Sequence, residues 1–140
     1  MTQTMVGKTL LIDDSDIDLF IQRRFLEVYS FSETLVLYNS AEEALSWLKE
    51  MKGGEVAPDV IFLDLNMPEI DGFSFLNNFK KLPQEVLDKC KIVVLTSSNS
   101  AKDREQAFTF SNVIQFITKP IKQSDIEDLK NLINQNDPVG

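Results

Sequence analysis

Histidine is absent from the 140 residues of this chain. Its absence excludes Ser–His and Cys–His nucleophile pairs, histidine general bases and metal sites with histidine ligands. Basic residues are also few, with 14 Lys and Arg against 22 Asp and Glu, which gives a net charge of −8. A chain this acidic repels a phosphate backbone, so we expect no direct binding to nucleic acid.

Cysteine and long apolar runs are scarce as well. The single cysteine, Cys90, cannot form a disulfide within the chain, and it favours a reducing, cytoplasmic location. No apolar run approaches the roughly 18 residues of a membrane-spanning helix, and the first eight residues do not resemble a secretion signal, so we expect no membrane association. Length and composition predict one globular domain over residues 1–140, with a core at about 8–134 and loose ends.

Short apolar stretches alternate with amphipathic stretches along the chain. The apolar stretches predict strands at residues 8–13, 34–38, 59–64, 91–96 and 113–118. The amphipathic stretches predict helices at residues 15–29, 40–54, 72–82, 100–112 and 123–135. In the first helix the residues at helical spacing are Ile17, Phe20, Ile21 and Phe25. Strict alternation of buried strands and helices predicts a doubly wound (βα)5 three-layer α/β sandwich of the flavodoxin-like type, whose parallel sheet has the order 2-1-3-4-5.

Polar side chains stand where the predicted strands end. Asp13 and Asp14 follow the first strand, Asp64 ends the third, Thr96 ends the fourth, and Lys119 follows the fifth. Ligands of open parallel sheets bind at this edge, near the point where the strand order reverses. Two carboxylates about 4 Å apart repel by roughly 4 kcal/mol at an effective dielectric constant of ~20, so a cluster of three requires a cation. A site made only of oxygen ligands suits Mg²⁺ or Mn²⁺.

These residue types also fit the chemistry of phosphoryl transfer. A carboxylate such as Asp64 can accept a phosphoryl group as an aspartyl-phosphate. Thr96 offers a hydroxyl donor to a phosphoryl oxygen, and Lys119 offers a mobile positive charge. Positioning and charge neutralisation are the main contributions that a protein makes to such a reaction.

The order of the motifs resembles one protein family over residues 8–134. The motifs are the acidic pair Asp13-Asp14, DLNMPEIDG around Asp64, LTSS with Thr96 and FITKP with Lys119. Together they resemble the receiver domain of two-component response regulators, in particular the single-domain chemotaxis type. The resemblance implies a phosphoacceptor protein in a histidine-to-aspartate phosphorelay, which is a signalling switch that dephosphorylates itself rather than an enzyme.

The resemblance also implies roles for individual residues. The ligands of Mg²⁺ would be Asp13 or Asp14 (Asp14 more directly), Asp64 and the main-chain carbonyl of Asn66. Thr96 would move towards the phosphoryl group, and Phe116, where many members have Tyr, would follow it inward. The Lys119–Pro120 peptide bond would be cis. Asn66 and Ser98 would line the route of an attacking water and tune hydrolysis, and Asn112 would serve the backbone where the family tends to have Gly.

The partners implied by the resemblance are proteins. A sensor histidine kinase or a histidine phosphotransfer protein would donate the phosphoryl group. A downstream protein would bind the face formed by the fourth predicted helix, the fifth strand and the fifth predicted helix. Residues expected to make contacts on that face are Lys102, Gln106, Phe116 and Lys122. Little sequence follows the last helix to form an output domain, so the domain would act by binding another protein or by passing the phosphoryl group on; dimerisation is left open.

Three other functions are weighed against this one. Phosphatases of the haloacid-dehalogenase type need a second acid two residues after the nucleophile, where this chain has Asn66. A flavin-binding protein of this fold needs a Ser/Thr/Gly-rich loop after the first strand, where this chain is acidic. A receiver that never takes phosphate typically loses an acid or the lysine, and both are kept here. Asp16 and Asp18 are interpreted as ordinary acids in the first turn of a helix.

Overall fold

The computed structural model describes residues 5–51, 57–66, 71–97 and 100–135, with the last two side chains of that range left undescribed. Its strands are β1 (Val6–Ile12), β2 (Ser32–Tyr38), β3 (Val60–Asp64), β4 (Lys91–Thr96) and β5 (Val113–Thr118). Its helices are α1 (Asp16–Val28), α2 (Ala41–Lys49), α3 (Gly72–Phe79), α4 (Gln84–Lys89), α5 (Ala101–Phe108) and α6 (Gln123–Gln135). None of these described helices is long and apolar enough to cross a membrane.

The strands form a single parallel sheet in the order β2-β1-β3-β4-β5, which confirms the predicted flavodoxin-like topology. Neighbouring residues of a strand point to opposite faces of the sheet. Leu10 and Ile12 therefore belong to a core with α2, α3, α4 and α5, whereas Leu11 belongs to a second core with α1 and α6. All five residues of β3 are buried, which explains the continuous apolar run that precedes Asp64.

Four helices begin at a side chain that caps their first turn. Ser15, Ser40, Asp71 and Ser100 each accept a hydrogen bond from the backbone N–H three residues later. Such a cap contributes about 1 kcal/mol to helix stability. Three of these caps lie in loops that follow β1, β3 and β4, so they also fix the backbone beside the edge of the sheet where the polar residues collect.

The structure corrects the number and ends of the predicted helices. The stretch from 83 to 90, which lies between a predicted helix and a predicted strand, contains the short helix α4, which buries Val86 against the core. Six residues are too few to show helical periodicity. The helix predicted over 100–112 ends at Phe108, and the residue with left-handed φ among those described is Ser30, not Asn112. The Asn112 side chain instead donates hydrogen bonds to the carbonyl oxygens of Leu87 and Cys90.

The buried face of α1 also differs from the face that the spacing of its apolar residues indicates. The buried residues of the helix are Leu19, Gln22 and Leu26. Ile17 and Phe20, by contrast, are 73% and 63% exposed. Leu19 and Leu26 belong to the core, and Gln22 between them forms a hydrogen bond with buried Asp13, a polar contact that hydrophobic spacing does not reveal.

Cys90 lies in the core beneath α4 and is 2% exposed. Burial, followed by the nearby charge of Asp59, raises the pKa of its thiol to about 12. Because the thiolate is the reactive form, we expect iodoacetamide to alkylate Cys90 at pH 8 far more slowly in the native protein than in urea. Equal rates, measured by intact mass, would contradict this placement of the side chain.

Candidate functional site

Three carboxylates converge at the carboxyl ends of the adjacent strands β1 and β3. Asp13 and Asp14 follow β1, and Asp64 is the last residue of β3. One oxygen from each of the three lies within 4.8 Å of the others, and this is the group of possible metal ligands found among the described residues. The juxtaposition follows from strand order, because β1 and β3 are neighbours in the sheet although about 50 residues separate them in sequence.

Asp13 is fully buried and its carboxylate is surrounded by donors. One oxygen accepts a hydrogen bond from the Ser15 backbone N–H at 2.9 Å. The other accepts from Gln22 Nε2 at 3.0 Å and from Lys119 Nζ at 2.7 Å. Asp14, in contrast, is exposed. The two members of the acidic pair therefore differ: Asp13 is held by the protein, and Asp14 is open to an ion from solvent.

Asp64 is 4% exposed and has fewer partners than Asp13 among the residues that the structure describes. One of its oxygens accepts a hydrogen bond from the Asn66 backbone N–H at 3.1 Å, and the other lies 3.8 Å from Lys119 Nζ. Burial raises the pKa of this carboxyl to about 6, and the charges of Asp13 and Asp14 act in the same direction. The Asn66 hydrogen bond and the Lys119 charge lower the pKa but do not compensate.

Lys119 is the cation of the site. Its Nζ contacts Asp13 at 2.7 Å and Asp18 at 2.9 Å, both closer than Asp64 at 3.8 Å. Burial lowers the pKa of the ammonium, but hydrogen bonds to Asp13 and Asp18 and the charge of Asp64 outweigh it and raise the pKa above its ordinary 10.5. The Lys119–Pro120 peptide bond is cis, the isomer that the family resemblance implies.

A hydrogen-bonded link connects β3 to β4 at the same edge. The Asn66 side chain donates from Nδ2 to Thr96 Oγ1 at 2.8 Å, while its backbone N–H donates to Asp64. Thr96 is fully buried, and its carbonyl oxygen accepts from the Lys119 N–H at 2.7 Å. The structure thus brings Asp64, Asn66, Thr96 and Lys119 together, whereas Ser98 lies outside the described residues.

Phe116 is already buried on β5, with 6% of its surface exposed. The Arg104 guanidinium lies 6.0 Å from the centre of its ring and 5.3 Å from that of Phe108. Lys102, Gln106 and Lys122, the other residues of the expected partner face, are exposed. A rearrangement that starts from this structure would therefore change how the Phe116 ring packs beneath Arg104 rather than bring the ring in from solvent.

Two residues of the site were missed by sequence reasoning, Asp18 and Gln22. They stand one turn apart on α1, so their side chains share a face, and they contact Lys119 and Asp13 respectively. A signal was available, because polar residues at positions i and i+4 directly after an acidic pair predict that this face of the helix borders the same site. First-turn acids are so common on helices that Asp18 did not stand out.

Gly72 allows the start of α3 to lie close to Leu65, the residue that follows β3. A Cβ atom at this position would lie 2.6 Å from Leu65 Cδ2 and 2.7 Å from Leu65 Cα. We expect Gly72→Ala to lower the free energy of unfolding by about 1–3 kcal/mol, because Leu65 must shift. Urea unfolding tests this, with Gly7→Ala as the control, since the closest atom there is a side-chain oxygen of Asp59 at 3.2 Å. Equal losses in both variants would contradict the proposed close approach.

The donor set of the site fits a hard divalent cation. Its candidate side-chain ligands are carboxylate oxygens, and among the described residues one lysine faces Asp13, Asp18 and Asp64. Burial, together with the charges of Asp13 and Asp14, keeps the pKa of Asp64 raised although the charge of this lysine lowers it, so the ionised carboxylate is costly without a further cation. Mg²⁺ is commonly held by one or two carboxylates together with waters and substrate phosphates, so the residues present suit it.

Comparison with known proteins identifies the family to which these features correspond. The family model described as the response regulator receiver domain matches residues 9–131. A structure of a response regulator receiver protein from Dyadobacter fermentans is 30% identical and has a TM-score of 0.81, with coverage of 92% of this chain and 96% of that one. A two-component response regulator from Cytophaga hutchinsonii is 26% identical and has a TM-score of 0.86, with coverage of 96% and 100%.

A curated relative extends the similarity to a much larger protein. Hybrid signal transduction histidine kinase L of Dictyostelium discoideum is 27% identical over 125 residues. The match covers 89% of this chain but only 7% of the kinase. The similarity is therefore to one segment of that protein.

Proposed function

Because the chain belongs to the response regulator receiver domain family, we propose that it is a phosphoacceptor switch in a histidine-to-aspartate phosphorelay, with Asp64 as the acceptor. The observation that carries this proposal is the setting of Asp64. It is a buried carboxylate at the end of β3, beside two further carboxylates and 3.8 Å from a lysine ammonium. An aspartate that only capped a turn would not require this cluster.

The proposed reaction transfers a phosphoryl group from a phosphohistidine of the donor protein to Asp64. A carboxylate oxygen of Asp64 attacks the phosphorus of a phosphohistidine, the new P–O bond forms and the P–N bond breaks. The imidazole leaves with the electron pair of that bond and takes up a proton. Lys119 moves from its present partners towards the phosphoryl oxygens, and the Thr96 hydroxyl donates a hydrogen bond to one of them. Hydrolysis by water, tuned by Asn66 and Ser98, would return the carboxylate.

Asp14, Asp64 and the Asn66 carbonyl would hold Mg²⁺ (or Mn²⁺), and Asp13 would support the site from inside. When bound, the ion would neutralise charge on the phosphoryl oxygens and reduce repulsion between the carboxylates. The exposure of Asp14 and the saturation of Asp13 by N–H donors support this division of roles.

The donor would be a histidine kinase or a histidine phosphotransfer protein, since these 140 residues contain no histidine. Its phosphohistidine must reach Asp64, so its surface must contact the residues around the site. The outer stripe of α1, made of Ile17, Phe20 and Ile21, begins three residues after Asp14 and is 53–73% exposed. We propose that the donor binds against this stripe, because a contiguous exposed apolar patch commonly marks a protein–protein interaction site.

The output would be a change in protein binding. The downstream partner would bind the face of α5, β5 and α6, where Lys102, Gln106 and Lys122 are exposed above buried Phe116. We propose that the 140 residues form one cytoplasmic receiver domain, which acts as a switch rather than as an enzyme.

Intact mass spectrometry tests the proposed function directly. The protein would be incubated with acetyl phosphate and Mg²⁺ at pH 7.5, with and without EDTA. We expect the mass of one phosphoryl group to appear with Mg²⁺ and to be lost when EDTA is present. No gain with Mg²⁺, together with Mg²⁺ binding shown by calorimetry, would favour a receiver that does not accept phosphate.

A further inference from the structure

Asp18 competes with Asp64 for the only cation among the described residues that faces the site. The Lys119 ammonium lies 2.9 Å from Asp18 Oδ2, which is a direct hydrogen bond, and 3.8 Å from Asp64 Oδ2, which is not. Its third partner, Asp13, lies at 2.7 Å and is the nearest of the three carboxylates. Asp18 thus has a direct hydrogen bond to the ammonium, whereas Asp64 has only a longer ion pair.

The position of Asp18 is fixed by contacts on both sides of it in the helix. Its backbone N–H donates to the Ser15 side chain at 3.2 Å, which is the N-cap bond of α1. One turn later, Gln22 donates to buried Asp13. These two contacts hold the first turns of α1 beside the site, where the Asp18 carboxylate, 40% exposed, reaches Lys119.

We propose that Asp18 is a positioning residue for phosphoryl transfer, which holds the Lys119 ammonium back from Asp64 until a phosphoryl group arrives. The inference rests on the proposed function. A phosphoryl group on Asp64 carries more negative charge than the Asp18 carboxylate, so it draws the ammonium away. That exchange breaks the Lys119–Asp18 ion pair in every cycle. The free energy of this ion pair is therefore added to the activation barrier of phosphoryl transfer.

Removal of the Asp18 charge should therefore accelerate phosphorylation. For Asp18→Asn we expect the maximal rate with saturating acetyl phosphate to rise by about two- to fivefold, the factor that a partly exposed ion pair supplies. Asp18→Glu retains a carboxylate that can reach the ammonium, and its maximal rate should lie close to that of the wild type. Unfolding in urea would verify that both variants are folded.

The effect of removing one negative charge must be distinguished from the effect of removing the Asp18–Lys119 contact. Asp16 lies in the same turn of α1, is exposed and accepts a hydrogen bond from Asn39, so Asp16→Asn makes the same charge change at a neighbouring position. Both variants should lower the acetyl phosphate concentration that gives half the maximal rate, because both weaken repulsion of an anionic donor. Only Asp18→Asn should raise the maximal rate.

A double substitution completes the test. In a Lys119→Met background, Asp18→Asn should leave the maximal rate unchanged, because no ammonium remains to be released. Three results would overturn the inference while the proposed function stands. The maximal rate could be unchanged for Asp18→Asn in the otherwise wild-type chain, it could rise equally for Asp16→Asn, or its rise could persist without Lys119. Absence of any phosphoryl gain in the wild type would overturn the proposed function, and this inference with it.

Discussion

Replacing Asp64 by Asn should raise the free energy of unfolding of the metal-free protein by up to about 3 kcal/mol at pH 7.5. The pKa of the Asp64 carboxyl is raised from its ordinary 3.8 to about 6, first by burial and then by Asp13 and Asp14. One pKa unit corresponds to about 1.4 kcal/mol, so ionisation of this group costs the folded state roughly that much per unit. Asn has nearly the same shape and no charge, and it can still accept the Asn66 hydrogen bond.

The pH dependence gives this prediction its sign. Below about pH 3.8 the carboxyl is protonated in both the folded and the unfolded chain, and the cost of ionisation is absent. As the pH rises from 3.8 to about 6, the unfolded chain ionises first, so the wild type loses stability. Above about 6 both states are ionised and the full cost remains.

The advantage of Asp64→Asn should therefore be absent near pH 3.5 and reach its maximum above pH 6. Urea unfolding in EDTA across this range measures it. Asp16→Asn, which alters an exposed acid, provides the matched control and should change the stability little at any pH. A stability difference that did not vary with pH, or a wild type more stable than Asp64→Asn at pH 7.5, would contradict the assigned burial of this charge.

Asp14→Asn should weaken Mg²⁺ binding at least about tenfold. Asp14 is the exposed member of the carboxylate cluster, while both oxygens of Asp13 already accept hydrogen bonds from N–H donors. Mg²⁺ binds only a few carboxylates and keeps several waters, so loss of one charged ligand removes a large share of its affinity. Isothermal titration calorimetry at pH 7.5 with MgCl₂ measures the effect.

Asp16→Asn again serves as the control for this second prediction, because it removes the same charge at the first residue of α1, two positions after Asp14. Its Mg²⁺ affinity should stay within about twofold of the wild type, since screening leaves an exposed, more distant charge little influence. Wild-type affinity in Asp14→Asn, or equal losses in both variants, would show that Asp14 is not a ligand and that overall charge alone governs binding.

The sheet order and the location of the site could be predicted because both follow from local pattern. Buried strands alternate with helices, and the residues at the strand ends must share one edge of a parallel sheet. Asp13, Asp14 and Asp64 are brought together for this reason alone. No side-chain packing was needed to place them.

The contacts of α1 could not be predicted in this way. Hydrophobic spacing singled out Ile17, Phe20 and Ile21. The polar contacts of the helix are made instead by Asp18, with Lys119, and by Gln22, with Asp13 nine residues earlier. Lys119 is 101 residues from Asp18, so the pair exists only once the sheet has formed. Tertiary contacts of this kind override amphipathic patterning, and they concentrate where a fold carries its chemistry.

The charge balance around Lys119 connects stability with the proposed function. The ammonium has two close carboxylate partners, and the carboxylate proposed to react is the third and most distant one. Asp64 is buried and, with a pKa of about 6, it is ionised at neutral pH. Its negative charge is incompletely compensated, because the ammonium lies closer to the other two carboxylates. A bound cation would relieve this state, and for this reason we expect Mg²⁺ binding to stabilise the fold.

Borohydride trapping of the phosphorylated protein tests the central claim most directly. The wild type would be phosphorylated with acetyl phosphate and Mg²⁺, reduced with borohydride, digested and mapped by mass spectrometry. Reduction converts an aspartyl-phosphate to homoserine and leaves free carboxylates intact. The account predicts homoserine at position 64 and unchanged Asp13 and Asp14. Homoserine at position 13 or 14, or a phosphoryl group on a hydroxyl residue with Asp64 unchanged, would contradict it.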